Sequence, residues 1–148
     1  MTTRSLAALA VLLCLAAGSA GAQAPTRRYI DPKTPDGTGS PFSGAVMVGN
    51  TLYLSGQLGA GANNRPETAE LEATAVLNNV KALLAKADMT MDDLVTVTIF
   101  TSNTADYAAF NTVYRTYFTK EFPARAFIGA GPLLFGARFE VQGIAVKR

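Results

Sequence analysis

Two residues near the C-terminus of this 148-residue chain carry the most chemistry, Arg125 and Glu140. A guanidinium stays charged at any working pH and grips a carboxylate with two parallel hydrogen bonds, so Arg125 suits the anchoring of a small acid. Glu140 lies in a stretch where Phe139, Val141, Gly143 and Ala145 alternate with it, so it and Gln142 point to the face opposite those residues. A carboxylate beside a partly dry cleft can hold a water and move its protons. Bland readings stand next to both. Arg125 also suits a surface or inter-subunit ion pair. Glu140 also suits an exposed strand charge, or a partner for Arg125 that would keep its pKa low and make it a poor acid. Gly56 offers a backbone without a side chain for close approach, or simply ends a strand. Asn111 offers hydrogen bonds to a ligand, or is a polar residue on an outer helix face. Tyr107, Phe110, Tyr114 and Phe118 are expected mainly in the core.

The rest of the composition narrows the chemistry. The chain has no histidine, and its single cysteine, Cys14, falls in an apolar N-terminal run. Arg4 followed by Leu6 to Ala17 and then Ala20-Gly21-Ala22 has the layout of a secretory signal with a cleavage site after Ala22. The run is short for a span of roughly 20 residues. We therefore expect export to the periplasm or medium, with residues 1–22 removed, and no stable membrane insertion afterwards. The remaining chain then lacks both Cys and His. Ser-His and Cys-His pairs and His-liganded zinc are excluded, and no metal is expected. Acid–base work falls to carboxylates, lysines, tyrosines or water. Without Arg4 the 13 Lys and Arg fall to 12 and nearly balance the 11 Asp and Glu, which argues against nucleic acid as a partner.

The elements that must position these groups follow from periodicity. Residues 23–40 are rich in Pro, Gly, Thr and Asp and read as an extended lead-in. Ala45 to Gly56 reads as a β-hairpin about Gly49-Asn50. Gly59 to Pro66 is a loop. Glu67 to Ala87 carries an apolar stripe through Ala73, Val76, Leu77, Val80, Leu83, Leu84 and Ala87, and is helical. Thr90 to Asp93 suits a capped turn. Leu94 to Phe100 is a strand, Thr104 to Phe118 a second helix, and Ala126 to Ala130 and Ala137 to Val146 the last two strands. The order β-β-α-β-α-β-β predicts a two-layer α+β domain over residues 41–148, with two helices on one face of a mixed sheet.

In that order the chain shows Pro41-Phe42-Ser43, Leu54-Ser55-Gly56-Gln57, Asn79, Asn111 with Tyr114, Pro123-Ala124-Arg125 and Phe139-Glu140-Val141. This series resembles the RidA (YjgF) family from about residue 41 to the end. The resemblance implies a chorismate-mutase-like fold and homotrimers with clefts between subunits. It also implies hydrolysis of reactive enamines and imines, such as 2-aminoacrylate, to 2-oxo acids and ammonia, without metal or organic cofactor. By the same resemblance Glu140 and Arg125 are catalytic, and Arg125, Gly56, Asn111, Phe42 and Ser55 bind substrate. Phe42 stands where the family usually has Tyr, and Gln142 where many members have a second acid. The loop from Gly129 to Gly136 is unusually apolar. A non-catalytic trimer that binds small acids or holds unfolded proteins is the alternative function. Ribonuclease activity fits poorly with the missing histidine and the balanced charge.

Overall fold

A computed structural model describes residues 24–31 and 41–148. The expected signal segment and cleavage site lie outside the described residues, as does most of the lead-in. The elements are β1 (Arg27–Ile30), β2 (Ala45–Val48), β3 (Thr51–Leu58), α1 (Ala69–Ala85), β4 (Leu94–Thr101), α2 (Tyr107–Tyr114), β5 (Ala124–Gly129) and β6 (Phe139–Val146). Their strands form one sheet in the order β1-β2-β3-β6-β4-β5. Every neighbouring pair is antiparallel except β4 with β5, which is parallel because α2 supplies the crossover. The expected α+β architecture, two helices over a mixed sheet, is the observed one. It gains a strand at one edge: Arg27–Ile30, in the stretch read as a lead-in, pairs with β2 from Arg27↔Val48 to Ile30↔Ala45. Four residues with no long alternation gave periodicity little to detect.

Local chemistry explains the boundaries. Gly49 sits at φ +61°, the left-handed conformation the two-residue hairpin turn demands. Thr68 caps α1 by accepting a hydrogen bond from the Leu71 N–H at 3.2 Å. Asp93 reaches back to the Thr90 N–H at 2.7 Å, giving the capped turn ahead of β4. The second helix is α-helical only over its middle, with short 3-10 turns at Thr104–Asp106 and Arg115–Tyr117.

The two faces of the sheet differ. On one, Leu52, Leu54, Val97, Ile99, Phe139, Val141 and Ala145 pack under Val76, Leu77, Val80, Leu84, Phe110 and Tyr114 in a single core. On the other, Tyr53 and Ile128 stay exposed, and a shallow depression of about 250 Å³ runs over Tyr53, Thr96, Thr98, Gln142 and Ile144. One charge enters the core. Glu72, four residues before Val76 and so on the apolar stripe, is fully buried. Its carboxylate accepts from the backbone N–H groups of Arg138 and Phe139 and from the Arg138 guanidinium. Burial is tolerable because every charge-bearing oxygen is engaged. No helix among the described residues is long and apolar enough to cross a membrane.

Candidate active site

Arg125 sits on β5, the sheet's outer strand, paired with Val97 of β4. It shares its strand face with Phe127, which packs edge-on against Tyr107 and Phe110. The guanidinium therefore points to the helix side. There it donates from Nη1 to Asn111 Oδ1 at 2.7 Å. Its Cζ lies 4.7 Å from the centre of the Tyr114 ring and 5.8 Å from that of Tyr107, so two aromatic faces cradle the cation. Arg125 forms no ion pair with an acid among the described residues. The cleft it lines measures about 190 Å³ and is completed by Tyr107, Asn111, Tyr114, Arg115, Phe122 and Pro123.

Asn111 is thus a positioning partner for the guanidinium, which its place on α2 made possible and its sequence did not reveal. Tyr114 and Tyr107 are both wall and core. The Tyr114 hydroxyl is the one buried side-chain polar atom without a partner among the described residues. Desolvation pushes its pKa up to about 12, against the opposing pull of Arg125, so it remains a neutral phenol at physiological pH.

Glu140 is elsewhere. It pairs in register with Leu58 and with Phe100, and its alternation with buried Phe139 and Val141 turns it to the open face of the sheet. The register runs irregularly between Leu54 and Gln57, so Ser55 and Gly56 form a bulge beside it. A Cβ built on Gly56 would come 1.9 Å from Glu140 Oε1. Gly56 is therefore small because the carboxylate lies across it. Within the chain Glu140 has no ion-pair or hydrogen-bond partner among the described residues, so the Arg125–Glu140 pair weighed from the sequence does not form there. Ser55 spends its hydroxyl proton on the Gly44 carbonyl at 2.7 Å, and Gln57 donates to Ser55 Oγ at 3.2 Å. Phe42 is exposed ahead of β2 and does not line the Arg125 cleft.

The expected residues thus fall into two groups. Arg125 and Asn111 meet on the helix side. Glu140, Gly56 and Ser55 gather around the bulge. Three register steps along the strands and two strands across separate them, roughly 10 Å in each direction, with the sheet between. Sequence reading missed Tyr107 and Tyr114 as walls for the cation, because aromatic residues at helical spacing signal core equally well. It also missed Arg115, on the same helix row. No group of three or more Cys, Asp or Glu among the described residues is arranged to hold a metal ion.

Comparison with known proteins sets these features in a family. A family profile described as Endoribonuclease L-PSP matches residues 34–147. A protein of the mite Dermatophagoides farinae named 2-iminobutanoate/2-iminopropanoate deaminase is 39% identical, over 82% of this chain and 97% of its own length. The human protein of the same name is 31% identical, over 82% and 90%. Among solved structures, the YjgF gene product of E. coli superposes with a TM-score of 0.72 at 28% identity, covering 82% of this chain and 99% of that one. RidA from an Antarctic Psychrobacter gives 0.71 at 29%, covering 80% and 98%.

Proposed function

The chain belongs to the Endoribonuclease L-PSP (YjgF/RidA) family, and on that premise we propose that it hydrolyses small 2-imino acids, and the enamines that tautomerise to them, to 2-oxo acids and ammonia. Relatives bearing the deaminase name support this activity at the level of the family. The observation that carries it to this chain is the state of Arg125: a guanidinium fixed by Asn111 and two rings, facing a cleft, with no acid paired to it among the described residues. Such a group is prepared for a carboxylate that arrives from outside.

The reaction needs little else. Water adds to the imine carbon, forming a C–O bond while the C=N bond becomes single. A carboxylate accepts the proton that water sheds and delivers it to nitrogen. The same carboxylate then takes the hydroxyl proton of that adduct and passes it to the nitrogen, the C–N bond breaks, ammonia leaves, and the carbonyl forms. Glu140, half-buried and unpaired over Gly56, is the group we assign to that proton. Because it lies on the opposite face of the sheet from Arg125 of the same chain, one complete site takes Arg125 from one protomer and Glu140 from the next. The open face, with Tyr53 and Ile128 exposed, suits burial in such an assembly, and we propose a homotrimer. We also retain the proposal of export, which N-terminal sequencing of the mature protein tests.

The test is direct. Generate 2-iminopropanoate with an amino-acid oxidase and follow its decay with wild type, Arg125→Ala and Glu140→Ala. Wild type accelerates decay and neither variant does. Mixing the two variants through a dissociation and reassembly step restores activity, since some clefts then receive an intact residue from each side. Equal decay in all samples would end the deaminase reading. Two inactive variants that stay inactive after subunit exchange would end the shared-site reading.

A further inference from the structure

Arg125 is not the sole cation on its cleft. Tyr107, Asn111 and Arg115 follow one another at four-residue steps along α2 and its 3-10 continuation, so they stand in one row. All three line the cleft of about 190 Å³ that Arg125 faces. Arg115 is exposed and, like Arg125, forms no ion pair among the described residues. No Asp or Glu contributes to the lining. The other walls are the rings of Tyr107, Tyr114 and Phe122 and the ring of Pro123. Two guanidiniums thus share a small space with mostly apolar walls and no acid from the described residues of their own protomer, while the Glu140 assigned to the site from the next protomer serves the proton transfer at the imine carbon. A cleft of one sign with low-dielectric walls focuses its field and draws in ions of the opposite sign. A single carboxylate on Arg125 neutralises half of that charge; a second anionic group on the same ligand neutralises the rest.

We propose that the cleft selects dianionic 2-imino and 2-oxo acids, those of acidic amino acids, with the reacting carboxylate on Arg125 and the distal carboxylate on Arg115. This rests on Arg125 as the carboxylate anchor and adds the side-chain class of the substrate. Arg115 is then a specificity residue. It touches the part of the ligand that does not react, so its contribution is to binding and not to the proton transfer at the imine carbon.

Binding of the stable 2-oxo acids tests the inference apart from catalysis. Titrate 2-oxoglutarate, 2-oxobutanoate and phenylpyruvate calorimetrically into the assembled wild-type protein, Arg115→Gln and Arg115→Lys at low salt. In the wild type, 2-oxoglutarate binds about tenfold more tightly than 2-oxobutanoate, about 1.4 kcal/mol. Arg115→Gln closes that gap by weakening the dianion, and Arg115→Lys keeps most of it because the charge remains. Equal affinity for the two acids in the wild type, or a gap that survives Arg115→Gln, overturns the inference. Phenylpyruvate binding more tightly than both also overturns it, and assigns the cleft to its aromatic wall. Failure of the deaminase reading looks different: the dianion preference persists while no ammonia is released from the corresponding imines.

Discussion

Two glutamate–arginine sets stand in contrast. Glu72 and Arg138, where α1 meets the start of β6, satisfy one another completely. Glu72 also accepts two backbone N–H groups, and Arg138 also donates to the carbonyls of Pro66 and Glu67. Arg125 and Glu140 are kept apart by the sheet, and neither meets an opposite charge among the described residues. The first set closes a gap in the core. The second leaves a cation and a carboxylate available to something that is not part of the protomer. A charge that a fold buries must be paired, so an unpaired one in a half-buried place signals a ligand or a neighbouring subunit.

Breaking the structural set has the largest expected effect. Glu72→Ala leaves the Arg138 guanidinium and two backbone donors without their acceptor, and lowers unfolding stability by about 3–5 kcal/mol, read by denaturant titration. Glu140→Gln tests the other set and reverses the pattern: turnover of 2-iminopropanoate falls by about 10²–10⁴-fold with stability little changed. A stability loss like that of Glu72→Ala would place Glu140 among the structural charges. Two nearby glycines sharpen the contrast further. A Cβ on Gly59 would meet the Glu72 carbonyl at 2.4 Å, and helix backbone yields poorly, so Gly59→Ala costs thermal stability. A Cβ on Gly56 meets only side-chain atoms of Glu140, from its Oε1 back to its Cγ, and that flexible chain can swing aside. Gly56→Ala therefore keeps its melting temperature while losing turnover, and a large drop in melting temperature would contradict that assignment.

The smallest effect concerns Tyr114. Its phenol pKa is raised from 10 to about 12 by burial, so its contribution to stability is fully present below about pH 10 and is lost as the pH climbs through about 12. Tyr114→Phe removes that part of the alkaline decline, seen as a shallower fall of the unfolding midpoint relative to wild type across this window. At neutral pH the substitution is near neutral or slightly stabilising, because the hydroxyl it deletes has no partner among the described residues.

Much of this architecture was written in local pattern. The stripe on α1 and the alternation in β6 are repeated signals, and each is fixed by which residues water excludes. The turn at Gly49-Asn50 was legible because only glycine takes its φ freely. Shorter elements were not legible: β1 has four residues, and its place depends on pairing with β2. Glu72 shows the same limit in a side chain. Its spacing put it on the buried stripe, but whether a carboxylate belongs there depends on the N–H groups of residues 138 and 139, more than sixty positions away.

The chemistry of the site divides the same way. Residue types alone established that this protein works without histidine, that Arg125 can hold an acid and that Glu140 can move a proton, because those are properties of functional groups. Their relative placement was decided only by the packed sheet. The direction a side chain faces follows the parity of its strand, while its neighbours follow the register between strands. Parity can be read along one segment; register arises from contacts between segments distant in the chain. That is why the two groups were identifiable individually, and why their separation by a sheet appeared only in three dimensions.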